Sequence, residues 1–277
     1  MVIDFRLRPP FGGFLKVGMY ADKAAADFYS RNIGMKRSAS AREESMRLLL
    51  KEMDENGIDM GVATGRIGHR KGNVPNAEIV RLLEEYPGRF MGFAGLDAGD
   101  VNGSLEEIER FCVDGPLKGV VLEPGAMEKP MYAHDGRLYP IYAACEKAGI
   151  PVQIMIGGRA GPDRSYSHPK IISRLAADFP GVDFIVAHGC WPFVQEILGV
   201  CFYQENIYLC PDLYFFNLPG QDDYIRAGNY YLQDRFLFAS AYPFTPLSCV
   251  HEFRESFKPE VRDKLLYKNA AKLLGLD

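Results

Sequence analysis

The sequence predicts an α/β protein: a single-domain (β/α)8 TIM barrel over residues 1–277, with a rim insertion after strand one. Three observations lead there. Short β-rich apolar runs alternate with longer segments of helical period, the runs number eight, and no Pro/Ser linker or acidic run divides the chain. Eight strands alternating with helices fit a closed barrel better than an open sheet, and 277 residues suit a one-domain barrel.

The elements follow in order. VIDFRL (2–7) is the first run, and residues 9–39 after it are long, Gly-rich and aromatic for a βα connection, so they read as a lid or rim insertion. SAREESMRLLLKEMDENG then carries apolar residues at helical spacing between a cap-like Ser40 and Gly57. The later runs are MGVATG (60–65), FMGFAGL (90–96), KGVVLE (118–123), PVQIMIG (151–157), DFIVAHG (183–189), NIYLCPDL (206–213) and FLFASAY (236–242). NAEIVRLLEEYPG, LYPIYAACEKAG and HPKIISRLAADFPG are helical between them, each stopping at Gly or Pro-Gly.

Composition narrows the function classes. Lysine and arginine total 32 against 36 acidic residues, a formal charge of −4 that argues against nucleic acid or an anionic membrane as partner, so any attraction for anions must be local. The six cysteines form no CxxC pair and sit mostly in apolar segments, which points to a reducing compartment. No uncharged apolar stretch reaches about 18 residues and no basic-then-apolar leader opens the chain, so a cytoplasmic location is expected.

In such barrels the chemistry sits at the carboxyl ends of the strands. Those ends present Arg6 and Arg8; Gly65 and Arg66; Asp97; Glu123; Met155; His188; Asp212; and Ala241 with Tyr242. On a strand, Arg6 and Arg8 would leave the same face, aiming two fixed positive charges at one place. ATGRIGHRKGN after the second run adds Arg66, His69, Arg70 and Lys71 in a Gly-rich basic loop suited to an anionic group; Arg66 and His69 are its candidates. GGRAGPDRSYSH adds Arg159, Arg164, Tyr166 and His168, of which Arg159 is a candidate anion contact and His168 a cap for the next helix. Trp191 follows His188 and either walls a pocket or packs on the next helix.

These ends, in this order, resemble the amidohydrolase superfamily, and within it the amidohydrolase-related branch that includes aminocarboxymuconate semialdehyde decarboxylase, related decarboxylases and small lactonases. The similar stretches run nearly end to end: IDFRLRPP, EEYPGRFMGFAGLD, KGVVLEP, LYPIYAACEKAGIPVQI, FPGVDFIVAHGCWPF, NIYLCPDL, FLFASAYP and YKNAAKLLGL, the last resembling the family's C-terminal helix. The resemblance implies metal ligands that this chain replaces. Arg6-Leu7-Arg8 stands where the family carries His-x-His, Met155 where it has a histidine, and Ala241 where it has an aspartate; His188 remains. Arginine has no lone pair to give a metal. At 4 Å and an effective dielectric of about 20, one guanidinium repels a divalent ion by roughly 8 kcal/mol. The same forks match a carboxylate.

The sequence therefore predicts a metal-independent hydrolase or isomerase, lactonase-like, acting on a small anionic metabolite with no metal and no cofactor. Arg6, Arg8, Arg66, His69, Arg159 and Tyr242 are the expected substrate contacts, and His188, with Glu123 or Asp212, the expected proton-transfer groups. A neutral His188 among arginines would serve as a base near pH 7. Two alternatives stand beside this reading: a metal-dependent hydrolase or decarboxylase with a site rebuilt from His188, Cys190, Glu123 or Asp212, and a non-catalytic barrel that binds an anionic metabolite. Whether the chain forms a homo-oligomer is left open.

Overall fold

The computed structural model describes residues 1–69 and 72–276; Arg70 and Lys71 of the basic loop lie outside the described residues. Seven parallel strands form the curled sheet of a TIM barrel: β1 Ile3–Asp4, β2 Met60–Thr64, β5 Phe90–Gly95, β6 Gly119–Leu122, β7 Val152–Met155, β8 Phe184–Ala187 and β9 Ile207–Cys210, hydrogen-bonded in that order. All are buried along nearly their whole length, as strands covered on both faces must be. Alternate residues such as Val62, Phe93, Val121, Met155, Ile185 and Leu237 fill the barrel interior, while their neighbours pack outward against the helices. Ala270, Ala271, Leu273 and Leu274 of the C-terminal helix Asn269–Leu274 join the interior cluster.

The eighth run closes the ring without forming a regular strand. Leu237 donates its N–H to the Leu209 carbonyl at 2.9 Å, and on the other side Phe5 donates to Phe238 at 2.9 Å and Arg8 to Tyr242 at 3.1 Å. Between these bonds a side chain replaces the ladder: the Asp4 carboxylate accepts both the Ser240 N–H, at 2.9 Å, and the Ser240 hydroxyl, at 2.5 Å. Asp4 Oδ1 also accepts the Arg6 N–H at 3.1 Å. That turn ends β1 at Asp4, so Arg6 and Arg8 sit beyond the strand on a bent segment rather than on one face of a six-residue strand.

The expected rim insertion is helical, built from a 3-10 turn Gly12–Lys16 and helices Gly18–Ala21 and Lys23–Asn32, the last capped by Asp22 accepting the Ala25 N–H. A short helix Ala39–Arg42 follows, and the longer helix after it begins at Met46, capped by Ser45, which accepts the Leu48 N–H. Ser40 is occupied elsewhere, against Glu52 and Tyr242. The loop after β2 contains a short hairpin, β3 Arg66–Ile67 with β4 Asn73–Val74, held at its tip by Asn73 accepting from Gly68 and His69. Among the described residues no helix is long and apolar enough to cross a membrane.

Candidate active site

At the carboxyl ends of the strands lies a cavity of about 300 Å³. Its floor and walls include Arg6, Arg66, Glu123, Met155, Arg159 and His188, and the rim helices supply Met19, Asp22, Ala26 and Tyr29. The structure thus brings five of the nine expected site residues to one cavity.

The other four are placed differently. Arg8 lies one layer behind the wall, 1% exposed, with its Nε on the Thr64 carbonyl and its Nη2 on the Gly65 carbonyl and Glu123. Asp212 is buried behind His188 and does not line the cavity. His69 faces Asp97, at 2.8 Å, at the outer tip of the hairpin, where its donors are met by a surface carboxylate. Tyr242 turns into the core under the rim segment, its hydroxyl 2.9 Å from Ser40, because the eighth run hands its backbone to Arg8 and leaves the side chain facing inward. The remaining loop residues also resolve. His168 caps the helix Lys170–Asp178 by accepting the Lys170 N–H, and Trp191 stacks on Tyr214.

Two chains of charge organise the cavity wall. In one, Glu123 bridges Arg8 at 3.0 Å and Arg66 at 2.8 Å. In the other, Asp212 lies 2.8 Å from His188 Nδ1 and 3.4 Å from Arg6. In these two chains three guanidiniums, of Arg6, Arg8 and Arg66, meet two carboxylates, of Glu123 and Asp212. Arg6 Nε and Arg66 Nε are buried without a hydrogen-bond partner, a cost of about 1–3 kcal/mol each that an oxygen ligand would relieve.

The titration behaviour follows from burial and charge. Burial, with Arg6 and Arg66 beside it, pulls the Arg8 guanidinium down to about 9 against the opposing pull of Glu123, so it stays protonated at neutral pH. Burial lowers His188 below the usual imidazole range; Asp212 works the other way and Arg6 adds to the fall. With its Nδ1–H on Asp212, neutral His188 keeps Nε2 as its basic nitrogen.

Local geometry holds this dyad in place. His188 and Asp212 both adopt the left-handed region, at φ +68° and +49°, a strain of order 1–3 kcal/mol each that clusters where side chains must be aimed. Gly157 and Gly158 let the wall close in: a Cβ on Gly157 would strike the His188 backbone and Cβ, and one on Gly158, at φ +57°, would strike the Tyr214 hydroxyl.

A divalent metal does not fit these donors. Among the described residues no group of three or more His, Cys, Asp or Glu side chains converges as a ligand set. His188 and Asp212 meet, but Glu123 is engaged by Arg8 and Arg66, and burial pushes the Cys190 thiol well above its usual range.

Sequence reasoning missed Tyr214, Leu213, Tyr29 and Met19, all of which line the cavity. Tyr214 sits two residues past the expected Asp212 in the aromatic stretch DLYFF, a cue at a strand end that was open to reading. Tyr29 and Met19 belong to the rim helices, whose facing depends on tertiary packing.

Comparison with known proteins agrees with this architecture. An uncharacterised TIM-barrel protein from Bordetella bronchiseptica is 41% identical, superposes with a TM-score of 0.95 and covers 99% of this chain and 98% of its own. A 2,6-dihydroxybenzoate decarboxylase from Rhizobium shares the fold at 17% identity, with a TM-score of 0.72, covering 100% and 99% of the two chains. A 2-amino-3-carboxymuconate-6-semialdehyde decarboxylase from Dictyostelium discoideum is 27% identical over 129 residues, 46% of this chain and 35% of that relative, so the matched stretch spans about a third of its length. The family model described as Amidohydrolase matches residues 32–276. The chain belongs to this amidohydrolase family.

Proposed function

We propose that the protein is a metal-independent, lactonase-like hydrolase of a small carboxylate-bearing substrate. The observation that carries this is the buried Asp212, 2.8 Å from His188 Nδ1, set behind a cavity wall that also holds Arg6 and Arg66. A carboxylate at Nδ1 fixes the tautomer that makes Nε2 a base.

In the proposed reaction the substrate carboxylate pairs with Arg66 and Arg159, whose planar forks suit two oxygens. His188 Nε2 takes a proton from a water as its oxygen bonds to the lactone carbonyl carbon. The carbonyl π pair moves onto oxygen, and that oxyanion is held by Arg6. When the carbonyl re-forms, the ring C–O bond breaks and the leaving alkoxide takes the proton back from His188. Asp212 stays hydrogen-bonded to the Nδ1–H throughout and steadies the transient imidazolium. Isomerisation of a small acid would use the same proton shuttle.

Decarboxylation is a second reading, favoured by the name of the Dictyostelium relative. It needs a proton donor for the carbanion. His188, lowered by burial, is mostly neutral at pH 7 and better suited to taking a proton than giving one.

The test is a screen of carboxylate-bearing lactones with protein dialysed exhaustively against EDTA, followed by proton release. Ring opening that persists after chelation supports the proposal. Activity that returns only on adding a divalent ion, or stoichiometric CO₂ release without hydrolysis, defeats it.

A further inference from the structure

A second cavity, of about 370 Å³, adjoins the first, sharing Tyr29, Arg159, Leu213 and Tyr214 as walls. Its character is different. Apart from a rim of Arg159, Asp163 and Arg164, it is lined largely by apolar and aromatic groups, among them Phe28, Ile33, Trp191 and Leu218. Trp191 and Tyr214 stack with centroids 5.3 Å apart and planes 22° from parallel, so the pair forms a packed aromatic wall of this cavity.

Tyr214 is the partition between the two spaces. It lines both, its ring in T-shaped contact with the His188 imidazole at 5.2 Å between centroids and stacked with Trp191, and Gly158 gives its hydroxyl room. Arg159 stands at the same boundary, 5.6 Å from the Phe28 ring centroid.

We infer that the substrate has two parts: a carboxylate-bearing head that occupies the arginine cavity and a flat apolar tail that crosses Tyr214 to lie against Trp191. This rests on the carboxylate reading above and names the class of molecule that reading takes. A small polar acid alone would leave the larger, drier cavity unused, whereas a planar tail there removes apolar surface from water on both sides. Tyr214 and Trp191 are then specificity-determining residues, and Leu218 closes the tail's far wall.

The test uses unreactive ligands, so it does not depend on turnover. Butyrate and a series of ω-phenyl carboxylates, from phenylacetate to 6-phenylhexanoate, are titrated into the intact protein by thermal shift and by the emission of Trp191, the sole tryptophan of the chain. The inference expects at least tenfold tighter binding for the best phenyl member than for butyrate, with a change in Trp191 emission that butyrate does not produce. In Leu218→Glu the tail's advantage disappears while butyrate binds as in wild type. Equal affinity across the series with unchanged Trp191 emission, while butyrate itself binds, overturns the two-part substrate and leaves the carboxylate reading standing. If neither butyrate nor any phenyl acid binds while the neutral 4-phenylbutanol does, the carboxylate reading itself falls.

Discussion

Replacing Glu123 with glutamine probes the charge balance of the site most directly. Glu123 is 6% exposed and pairs its carboxylate with both Arg8, at 3.0 Å, and Arg66, at 2.8 Å. Glutamine keeps the shape but removes the charge, so two buried guanidiniums lose their counterion in a region where Arg6 already repels Arg8. Breaking a buried pair from one side costs about 3–5 kcal/mol, because the stranded charge keeps its desolvation penalty. At roughly 2–4 °C per kcal/mol for a chain of this size class, the melting midpoint should fall by about 6–20 °C. Differential scanning calorimetry checks the fall. Adding Arg8→Met to Glu123→Gln removes one stranded charge, so the double variant should be less destabilised than the sum of the single changes, by about 1–3 kcal/mol. A fall below about 2 °C, or strict additivity, would refute the argument that Glu123 is the counterion holding this wall together.

Four further predictions follow from the same geometry. Asp212→Asn should reduce kcat/KM for lactone opening on the order of 10³-fold, since the amide no longer selects the Nδ1–H tautomer; unchanged kinetics would remove Asp212 from the mechanism. In wild type the rate should climb with pH along a limb that lies below the usual imidazole value of 6.5 and be flat at neutrality, because the neutral base is required and burial lowers its pKa; a limb above 6.5 contradicts that cause. The stability linked to His188 has the same sign: its depressed folded-state value makes the contribution complete above 6.5 and progressively lost as pH falls toward the folded value, which acid titration of the melting midpoint measures. Gly158→Ala should cost more than 1 kcal/mol from backbone strain and collision with the Tyr214 hydroxyl, and Tyr214→Phe in the same chain should recover part of it; urea unfolding of the pair decides.

The barrel was legible because each run of β-rich residues is buried on both faces, so burial is written into sequence as an unbroken apolar stretch. The same rule found the carboxyl ends, and with them Arg6, Arg66, Glu123 and His188. What it could not supply was which charges face the cavity and which stand behind it. Arg6 and Arg8 are two residues apart and chemically identical, yet an Asp4 side chain bends the backbone between β1 and these arginines, and Arg8 spends its donors on Thr64, Gly65 and Glu123. His69 and Tyr242 were drawn away by partners remote in sequence, Asp97 and Ser40, that no local pattern announces. The eighth run scanned as a strand from its composition, but its backbone bonds are shared with the Asp4 carboxylate.

That carboxylate ties together groups 236 positions apart. Since the same turn orients the segment bearing Arg6, the arginine-lined wall cannot assemble until the last quarter of the polypeptide has emerged and docked. A ribosome-bound chain stalled before Ser240 would carry every other stave yet display no organised guanidinium cluster, so ring closure and ordering of that cluster should appear together, late, as one cooperative event.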